Sequence, residues 1–497
     1  MDYEIVIGLE VHTQLKTDSK LFCNCVTTFG AEPNTQTCPV CLGMPGVLPV
    51  MNQKAFEYAL KVATALNCNI AASTKFDRKN YFYPDLPKNY QISQYDIPIA
   101  QNGWLEIGSR PTVQQSGSKK IGITRVHLEE DAGKLIHLDE GTEKLNNERT
   151  SSSVSPSFSS LVDLNRAGVP LVEIVSQPEI TSPDEAYQYL IALKSILIYL
   201  GVSDCDMEKG SLRCDANISL RKKGDSKLGT KTEVKNLNSF KAVAKALEFE
   251  ANRQATLLND RKEVVGETRL WDEEASETRS MRSKEEIQDY RYFPEPDLMP
   301  FTIFASLLDA VRKSIPELPT QRKERFIRQY QLSEYDAGVL LQDKMLADYF
   351  EECVKLYDNP KSVSNWLAGE LMRYLNDKKV EIGQLSVKPD RLVGLLKLFD
   401  DKKITSTAAK DVWAEMLKGK SSASEIVSQK GLSQISDDSV IEGFVKEVIS
   451  KNEKIVGDYK GGKKTALEAL LGQVMKVSKG KAQPDKVREL LKKYLDS

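Results

Sequence analysis

Apolar and polar positions alternate along the first dozen residues. Ile5, Ile7, Leu9 and Val11 fall on one side, with Glu4, Val6, Gly8, Glu10 and His12 on the other. A period of two places every second side chain on the same face, so the pattern predicts a strand with one apolar face. Residues 212–220 repeat it: Leu212, Cys214, Ala216, Ile218 and Leu220 oppose Arg213, Asp215, Asn217 and Ser219. Between them, Ser182-Pro183-Asp184-Glu185 reads as a capping box with proline at the first helical position, and Gly201 closes that helix. Beyond Tyr292-Phe293-Pro294-Glu295-Pro296-Asp297 the pattern turns helical, broken at Pro316, Pro319, Pro360 and Pro389. A last helical stretch carries the stripes Leu467, Leu470, Leu471, Val474 and Val487, Leu490, Leu491, Tyr494. The fold class expected is α+β: a catalytic domain over 1–295 built on a mixed or antiparallel sheet, then all-α domains over 296–404 and 405–497.

Length supports that division, because 497 residues is about three times the usual single domain. Apolar residues make up 40% and charged residues 28%, which excludes a wholly disordered chain. Lys plus Arg (69) nearly balance Asp plus Glu (71), so the chain as a whole has no nucleic-acid signature. Residues 460–497 do differ, with ten basic residues against four acidic ones. That local excess suits either a solvated helix surface or contact with a phosphate backbone. Residues 150–160 are Ser-rich and read as a surface insert without chemistry of their own. The opening residues have neither the basic nor the apolar region of a signal peptide, and no run approaches a membrane span. A cytoplasmic protein is expected.

Four of the eight cysteines crowd together as Cys23-x-Cys25 and, twelve residues on, Cys38-x2-Cys41. Two close thiol pairs on short loops can supply a tetrahedron of thiolates, the arrangement zinc prefers, and free thiols are the alternative. Four thiolates leave no position for water, so such a zinc is structural. Cys68, Cys205, Cys214 and Cys353 are scattered and read as packing residues.

Alternation puts Glu10 beside His12 on one strand, Asp215 beside Asn217 on another, and Lys231, Glu233 and Lys235 on one side of a third. Glu173 sits in the apolar run Pro170-Leu171-Val172-Glu173-Ile174-Val175, where an unpaired carboxylate would be desolvated. His127-Leu128-Glu129-Glu130-Asp131 adds an acidic turn. Each acid alone reads as a solvated strand residue or half of an ion pair. Together with an imidazole they suit Mg²⁺, which takes oxygen-rich ligands and organises phosphates. With three histidines in the chain, a His-rich transition-metal site is disfavoured. No P-loop, kinase glycine-rich loop or Gly-x-Ser-x-Gly elbow is present.

The opening Ile7-Gly8-Leu9-Glu10-Val11-His12-x-Gln14-Leu15 resembles the signature of the B subunit of the tRNA-dependent amidotransferases that act on aspartyl- and glutamyl-tRNA. Residues 76–94 (Phe-Asp-Arg-Lys-Asn-Tyr-Phe-Tyr-Pro-Asp-x-Pro-Lys-x-Tyr-Gln-Ile-Ser-Gln), His127-x-Glu129-Glu130-Asp131-Ala132-Gly133-Lys134, residues 210–219 and residues 289–297 extend the likeness in family order across the chain. The resemblance implies a cradle-shaped catalytic domain, a helical domain and a tRNA-binding tail. It also implies a heterotrimer with an amidase partner and a small third protein. The implied chemistry is ATP- and Mg²⁺-dependent phosphorylation of the side-chain carboxylate of misacylated Glu-tRNA(Gln) or Asp-tRNA(Asn), followed by amidation with ammonia from the amidase.

Carried over by motif, Glu10, His12, Glu130, Glu173, Asp215 and Glu233 are the expected magnesium and catalytic positions, with Glu208 a weaker candidate. Strand alternation alone favours Glu129 over Glu130, and that choice stays open. Lys79 and Lys88, with Tyr81 and Tyr83, are implied to face the bound substrates, lining an ammonia route or holding the tRNA acceptor end. Cys23, Cys25, Cys38 and Cys41 agree with zinc-bearing members. Two other readings compete: a non-catalytic, zinc-containing tRNA-binding protein, and an ATP-dependent ligase for a free carboxylic acid.

Overall fold

The computed structural model describes residues 3–108, 118–137, 160–282, 290–435, 437–463, 465–478 and 480–496. The Ser-rich segment lies outside the described residues except for Ser160. The chain forms two compact units, residues 1–319 and 320–497.

The first unit holds, in chain order, β1 (Tyr3–Gln14), α1 (Gln53–Ala65), β2 (Asn69–Ile70), β3 (Ser73–Thr74), β4 (Asp77–Asn80), β5 (Tyr90–Ser93) and β6 (Ala100–Gly108). There follow β7 (Ser118–Glu130), β8 (Lys134–His137), β9 (Ser160–Asp163), β10 (Pro170–Ser176), α2 (Pro183–Leu200), β11 (Leu212–Lys222), β12 (Thr232–Lys235) and α3 (Phe240–Asn259). The unit closes with β13 (Thr268–Asp272), β14 (Glu277–Arg282), β15 (Arg291–Pro294), β16 (Phe301–Thr302) and α4 (Ala305–Ser314).

Nine strands make one sheet in the order β14-β13-β12-β11-β1-β10-β7-β6-β2. Its pairings are antiparallel except β12–β13, so the sheet is mixed as expected. The apolar stripe read from β1 is the core face: Ile7, Leu9 and Val11 are buried with Phe56 and Leu60 of α1, Leu193 of α2 and Val243 of α3. Among the described residues, α1, α2 and α3 cover this core face, and the polar alternates point to the other. A small sheet, β15-β4-β5, is formed when residues 291–294 return to pair with residues 77–80.

Helix α2 begins as its sequence suggests, with Pro183 in its first turn and Gly201 in the left-handed conformation (φ 69°) at its end. Half of the capping box forms. The Ser182 hydroxyl accepts from the Glu185 N–H at 3.1 Å. The Glu185 carboxylate accepts instead from the Thr181 N–H at 2.8 Å and from Lys119 at 2.7 Å. A lysine within reach outcompetes the reciprocal cap, because a charge-assisted bond is the stronger.

Gly103 on β6 lies where the chain leaving α1 closes against the sheet. A Cβ there would stand 2.5 Å from the Leu66 carbonyl oxygen and closer still to the Cys68 sulfur. Gly103→Ala is therefore expected to lose about 1–3 kcal/mol by forced displacement of backbone, read as a lower urea midpoint at unchanged slope.

In the second unit, α5 (Pro319–Tyr330), α6 (Glu334–Leu340), α7 (Lys344–Leu356) and α8 (Pro360–Trp366) lead through a π-turn at Leu367–Leu371 into α9 (Met372–Lys378). Helices α10 (Pro389–Asp400), α11 (Ser406–Lys418), α12 (Ala423–Lys430), α13 (Asp438–Lys451), α14 (Glu453–Lys460), α15 (Thr465–Val477) and α16 (Pro484–Leu495) complete it. The C-terminal stripes are core: Leu467, Leu470, Val474, Val487 and Leu491 are buried against Ile441, Val445 and Val448.

Glu351 on α7 is clamped from α5 by Arg322 at 2.5 Å and Arg325 at 2.6 Å, with the Tyr330 hydroxyl donating at 3.1 Å. Burial pushes its carboxyl up, but the two guanidinium groups more than offset that and hold it at about 2. A depressed carboxylate stabilises the fold above its unfolded value, and that share is lost as pH falls through the folded one. The melting temperature is expected to hold above about pH 5 and to decline from about pH 4.5 towards 2. Glu351→Gln should flatten that decline and, by leaving Arg322 with Asp348 and weakening the hold on Arg325, cost about 1–3 kcal/mol at neutral pH.

Candidate active site

Register decides which polar side chains meet on the open face of the large sheet. His12 of β1 stands opposite Glu173 of β10, which stands opposite His127 of β7, and on its other side His12 faces Arg213 of β11. The result is a row Arg213–His12–Glu173–His127 across four adjacent strands. In the row beside it Glu10 faces Asp215.

Glu173 lies 3.2 Å from His12 Nε2 and 3.3 Å from His127 Nε2 through one oxygen, and 3.2 Å from Arg125 through the other. Glu129, two positions along β7 from His127, comes within 3.6 Å of both imidazoles. Ser93 donates to it at 3.3 Å. The two carboxylates are almost fully buried, so their charge is tolerated only through these partners.

The electrostatics follow from that crowding. Burial alone would lower the His127 pKa, but Glu173 and Glu129 more than offset it and hold it at about 9. His12 is raised for the same reasons, against burial, chiefly by Glu173. Burial raises Glu129 and Glu173, and the histidines pull both below the usual carboxylate range. A cationic His127 thus stands between the two carboxylates, with His12 beside them. His127 Nδ1 is buried without a hydrogen-bond partner among the described residues.

Among the described residues, His12, Glu129 and Glu173 form one of two groups able to hold a metal ion, with ligand atoms within 4.8 Å of one another. The other expected acids lie near but apart. Glu10 accepts from Asn217 Nδ2 at 3.0 Å. Asp215 and Glu233 share the Lys235 ammonium, at 2.5 and 3.2 Å, and Glu233 also accepts from Thr268 at 2.9 Å. Lys235 occupies the space between them that a cation would need. Glu208 is exposed in the turn before β11.

Glu130 stands apart from this group. β7 and β10 stay in register from Val126 to Glu130, and their one register shift falls between Val175 and Ser176. No bulge turns Glu130 towards His12, so strict alternation sends it to the opposite face. There it pairs with Lys88 and accepts from the Ile92 N–H at 2.8 Å. Glu130 and Lys88 line a cavity of about 210 Å³ together with Cys23, Cys41 and Gly43. Lys79 and Lys88, nine positions apart, consequently serve different places. Lys79 lies 4.8 Å from the Tyr290 ring centroid and 5.8 Å from that of Tyr81. Burial lowers its pKa, and Glu129, Tyr292 and Glu173 more than restore it. It therefore belongs with the histidine–carboxylate cluster, while Tyr83 points into solvent.

Four charged members of this face were not expected as site residues: Arg125, His127, Arg213 and Lys235. The last three each sit two residues from a residue that was singled out, so the same period of two marks them.

The second metal-binding group among the described residues is Cys23, Cys25, Cys38 and Cys41, with sulfurs within 4.8 Å of one another. Cys38 N–H donates to Cys41 Sγ at 3.2 Å and the buried Lys20 ammonium at 3.6 Å. The neighbouring Cys23 thiol is the largest influence lowering the Cys41 pKa, against burial.

Comparison with known proteins gives the family of the chain. Residues 5–309 match the family described as the GatB/GatE catalytic domain, and residues 348–495 match the GatB domain. A relative from Caldanaerobacter subterraneus subsp. tengcongensis, named as the B subunit of aspartyl/glutamyl-tRNA(Asn/Gln) amidotransferase, is 54% identical over 495 residues, covering 100% of both chains. Proteins of the same name from Carboxydothermus hydrogenoformans (53% identity, 99% of both chains) and Moorella thermoacetica (51%, 100% of both) are similar throughout. The chain belongs to the family of aspartyl/glutamyl-tRNA(Asn/Gln) amidotransferase B subunits.

Proposed function

We propose that this chain is the kinase and transamidase component of a tRNA-dependent amidotransferase. It would act on glutamate carried by tRNA(Gln), on aspartate carried by tRNA(Asn), or on both. The observation that carries the reading is the cluster of His12, Glu129 and Glu173 on the open face of the sheet, flanked by Lys79, Arg125 and Arg213.

A carboxylate resists amidation because oxide is a poor leaving group, and phosphorylation replaces it with phosphate. Phosphoryl transfer asks a protein mainly for positioning and charge neutralisation. The donor set of two carboxylates and one imidazole fits a hard cation, so His12, Glu129 and Glu173 would hold magnesium, with Glu10 in the next row and Asp215 and Glu233 held by Lys235. Magnesium bound there would supply neutralising charge for the phosphates of ATP. The chain's own residues do the rest. Glu173 orients both imidazoles, His127 holds a proton between Glu129 and Glu173, and Lys79 brings a fixed positive charge to the same carboxylates. The four thiols fit a closed structural zinc site.

The name of the relatives, a B subunit, supports assembly into a complex, and the cytoplasm is the compartment proposed for it. One partner would be an amidase that supplies ammonia, and the other a small third protein that completes a heterotrimer. Contact with the tRNA backbone is assigned to the C-terminal helices, where Lys492 and Lys493 are exposed. Replacing both by Gln is expected to weaken tRNA binding and to reduce the slope of log affinity against log salt by about 1–2. An unchanged slope removes these residues from the interface.

The test is chromatography of the amino acid released from glutamyl-tRNA(Gln) or aspartyl-tRNA(Asn) after incubation with the assembled complex, ATP, Mg²⁺ and ammonium. Amide that forms only with ATP supports the reading. Bound tRNA with no amide from either substrate leaves the non-catalytic tRNA-binding reading in its place.

A further inference from the structure

We propose that Arg213 is a catalytic residue of this site, contacting the oxygens of the phosphoryl group during its transfer. The inference rests on the kinase reading above and adds a residue to it. Arg213 lies on β11 directly opposite His12, in the row that continues through Glu173 to His127. Its ion pair is one-armed, from Nη2 to Asp131 at 2.8 Å, and that carboxylate is already engaged by Gln14 Nε2 at 2.8 Å. The Arg213 Nε is shut off from solvent and has no hydrogen-bond partner among the described residues, while 36% of the side chain stays accessible from the open face.

A guanidinium carries five donors in a planar fork suited to two oxygens of one anion. Here Nη2 meets only Asp131, and the Nε–H has no acceptor among the described residues. A buried donor without an acceptor is costly, and a purely structural partner for Asp131 would not need it. Burial lowers the Arg213 pKa, and Asp131, Glu129 and Asp215 more than offset that, so the group stays cationic.

Two oxyanions enter this site under the kinase reading: the terminal phosphoryl group of ATP and the side-chain carboxylate of the aminoacyl-tRNA. The phosphoryl group is the better match, because its charge spreads over three equatorial oxygens as it moves and a fixed guanidinium can follow two of them. In the step itself, a carboxylate oxygen forms a bond to the terminal phosphorus. The bond from phosphorus to the bridging oxygen breaks, and ADP leaves with the electron pair. Arg213 neither gains nor loses a proton.

The experiment uses the full chain assembled with its partner proteins, ammonium as nitrogen donor, and release of labelled phosphate from ATP as readout. Arg213→Ala is expected to lower kcat about a hundred- to a thousandfold, with the KM for ATP and for aminoacyl-tRNA within about threefold of the parent. Millimolar guanidinium chloride should restore activity to this variant and leave the parent unchanged, a rescue that a structural role would not give. Arg213→Lys, which keeps the charge and loses the fork, should stay impaired. If Arg213→Ala does not fold, Arg213→Lys decides: wild-type kcat in that variant overturns the proposal. So does a raised KM for aminoacyl-tRNA at unchanged kcat, which would move Arg213 to the substrate carboxylate, and so does a loss in kcat that guanidinium fails to repair. Failure of the parent complex to form amide with ATP would instead sink the kinase reading itself.

Discussion

Glu173→Gln is expected to reduce ATP-dependent amidation by about a hundred- to a thousandfold in kcat at saturating ammonium, with folding and tRNA affinity intact. The substitution keeps the shape of the side chain and removes the charge that holds both imidazoles. One Glu173 oxygen is shared by His12 and His127 at 3.2 and 3.3 Å, so both histidines lose their nearest anion once that oxygen is neutral and are left with Glu129 at 3.6 Å. Glu129→Gln should behave alike, because Glu129 completes the same group. Glu130→Gln should differ in kind, releasing Lys88 without touching His12. Side-by-side kinetics of the three variants settle the choice between the adjacent glutamates. Full activity in Glu129→Gln with a dead Glu130→Gln would return the site to Glu130.

The second large effect concerns the cysteine knuckle. Cys41→Ser, or prolonged exposure to a strong chelator, is expected to remove one zinc per chain and to destabilise the first unit by about 5 kcal/mol or more, given that structural zinc contributes roughly 10–16 kcal/mol in small domains. Elemental analysis with a melting curve checks it. Activity should fall too, although no thiol touches the histidines. Gly43, at φ +67°, lies so close under Lys88 that even a methyl group would collide with that side chain. The knuckle therefore supports the loop on which Lys88 meets Glu130. A variant that retains its melting temperature and contains no zinc would rule out a structural metal there.

Much of the site was legible because strands betray their faces. A period of two put Glu10 with His12 and Asp215 with Asn217, and the same rule preferred Glu129 where family likeness pointed to Glu130. What alternation cannot supply is which strands are neighbours. Glu173 looked like a stray carboxylate in an apolar run until β10 was seen to lie between β1 and β7. Nor does spacing reveal competition among partners: Lys235 sits between Asp215 and Glu233, and Lys119 helps draw Glu185 from its reciprocal cap. Helical stripes at 467–474 and 487–494 were read correctly, since burying an amphipathic face is a local requirement. The return of residues 291–302 to pair with residues 73–80 is a long-range choice that leaves no local pattern.

The central place of β1 has a consequence in time. Glu10 pairs with Val175 and Asp215, 165 and 205 positions later in the chain. At synthesis rates of about 5–20 residues per second, the first strand made waits roughly ten seconds or longer for both neighbours to leave the ribosome. Throughout that interval its apolar stripe and two bare edges invite pairing with other chains. The residues proposed for catalysis come together at the end of this wait, so slowing translation near residue 220, or withholding chaperones, should cost yield of active protein well before it costs solubility of the helical second unit.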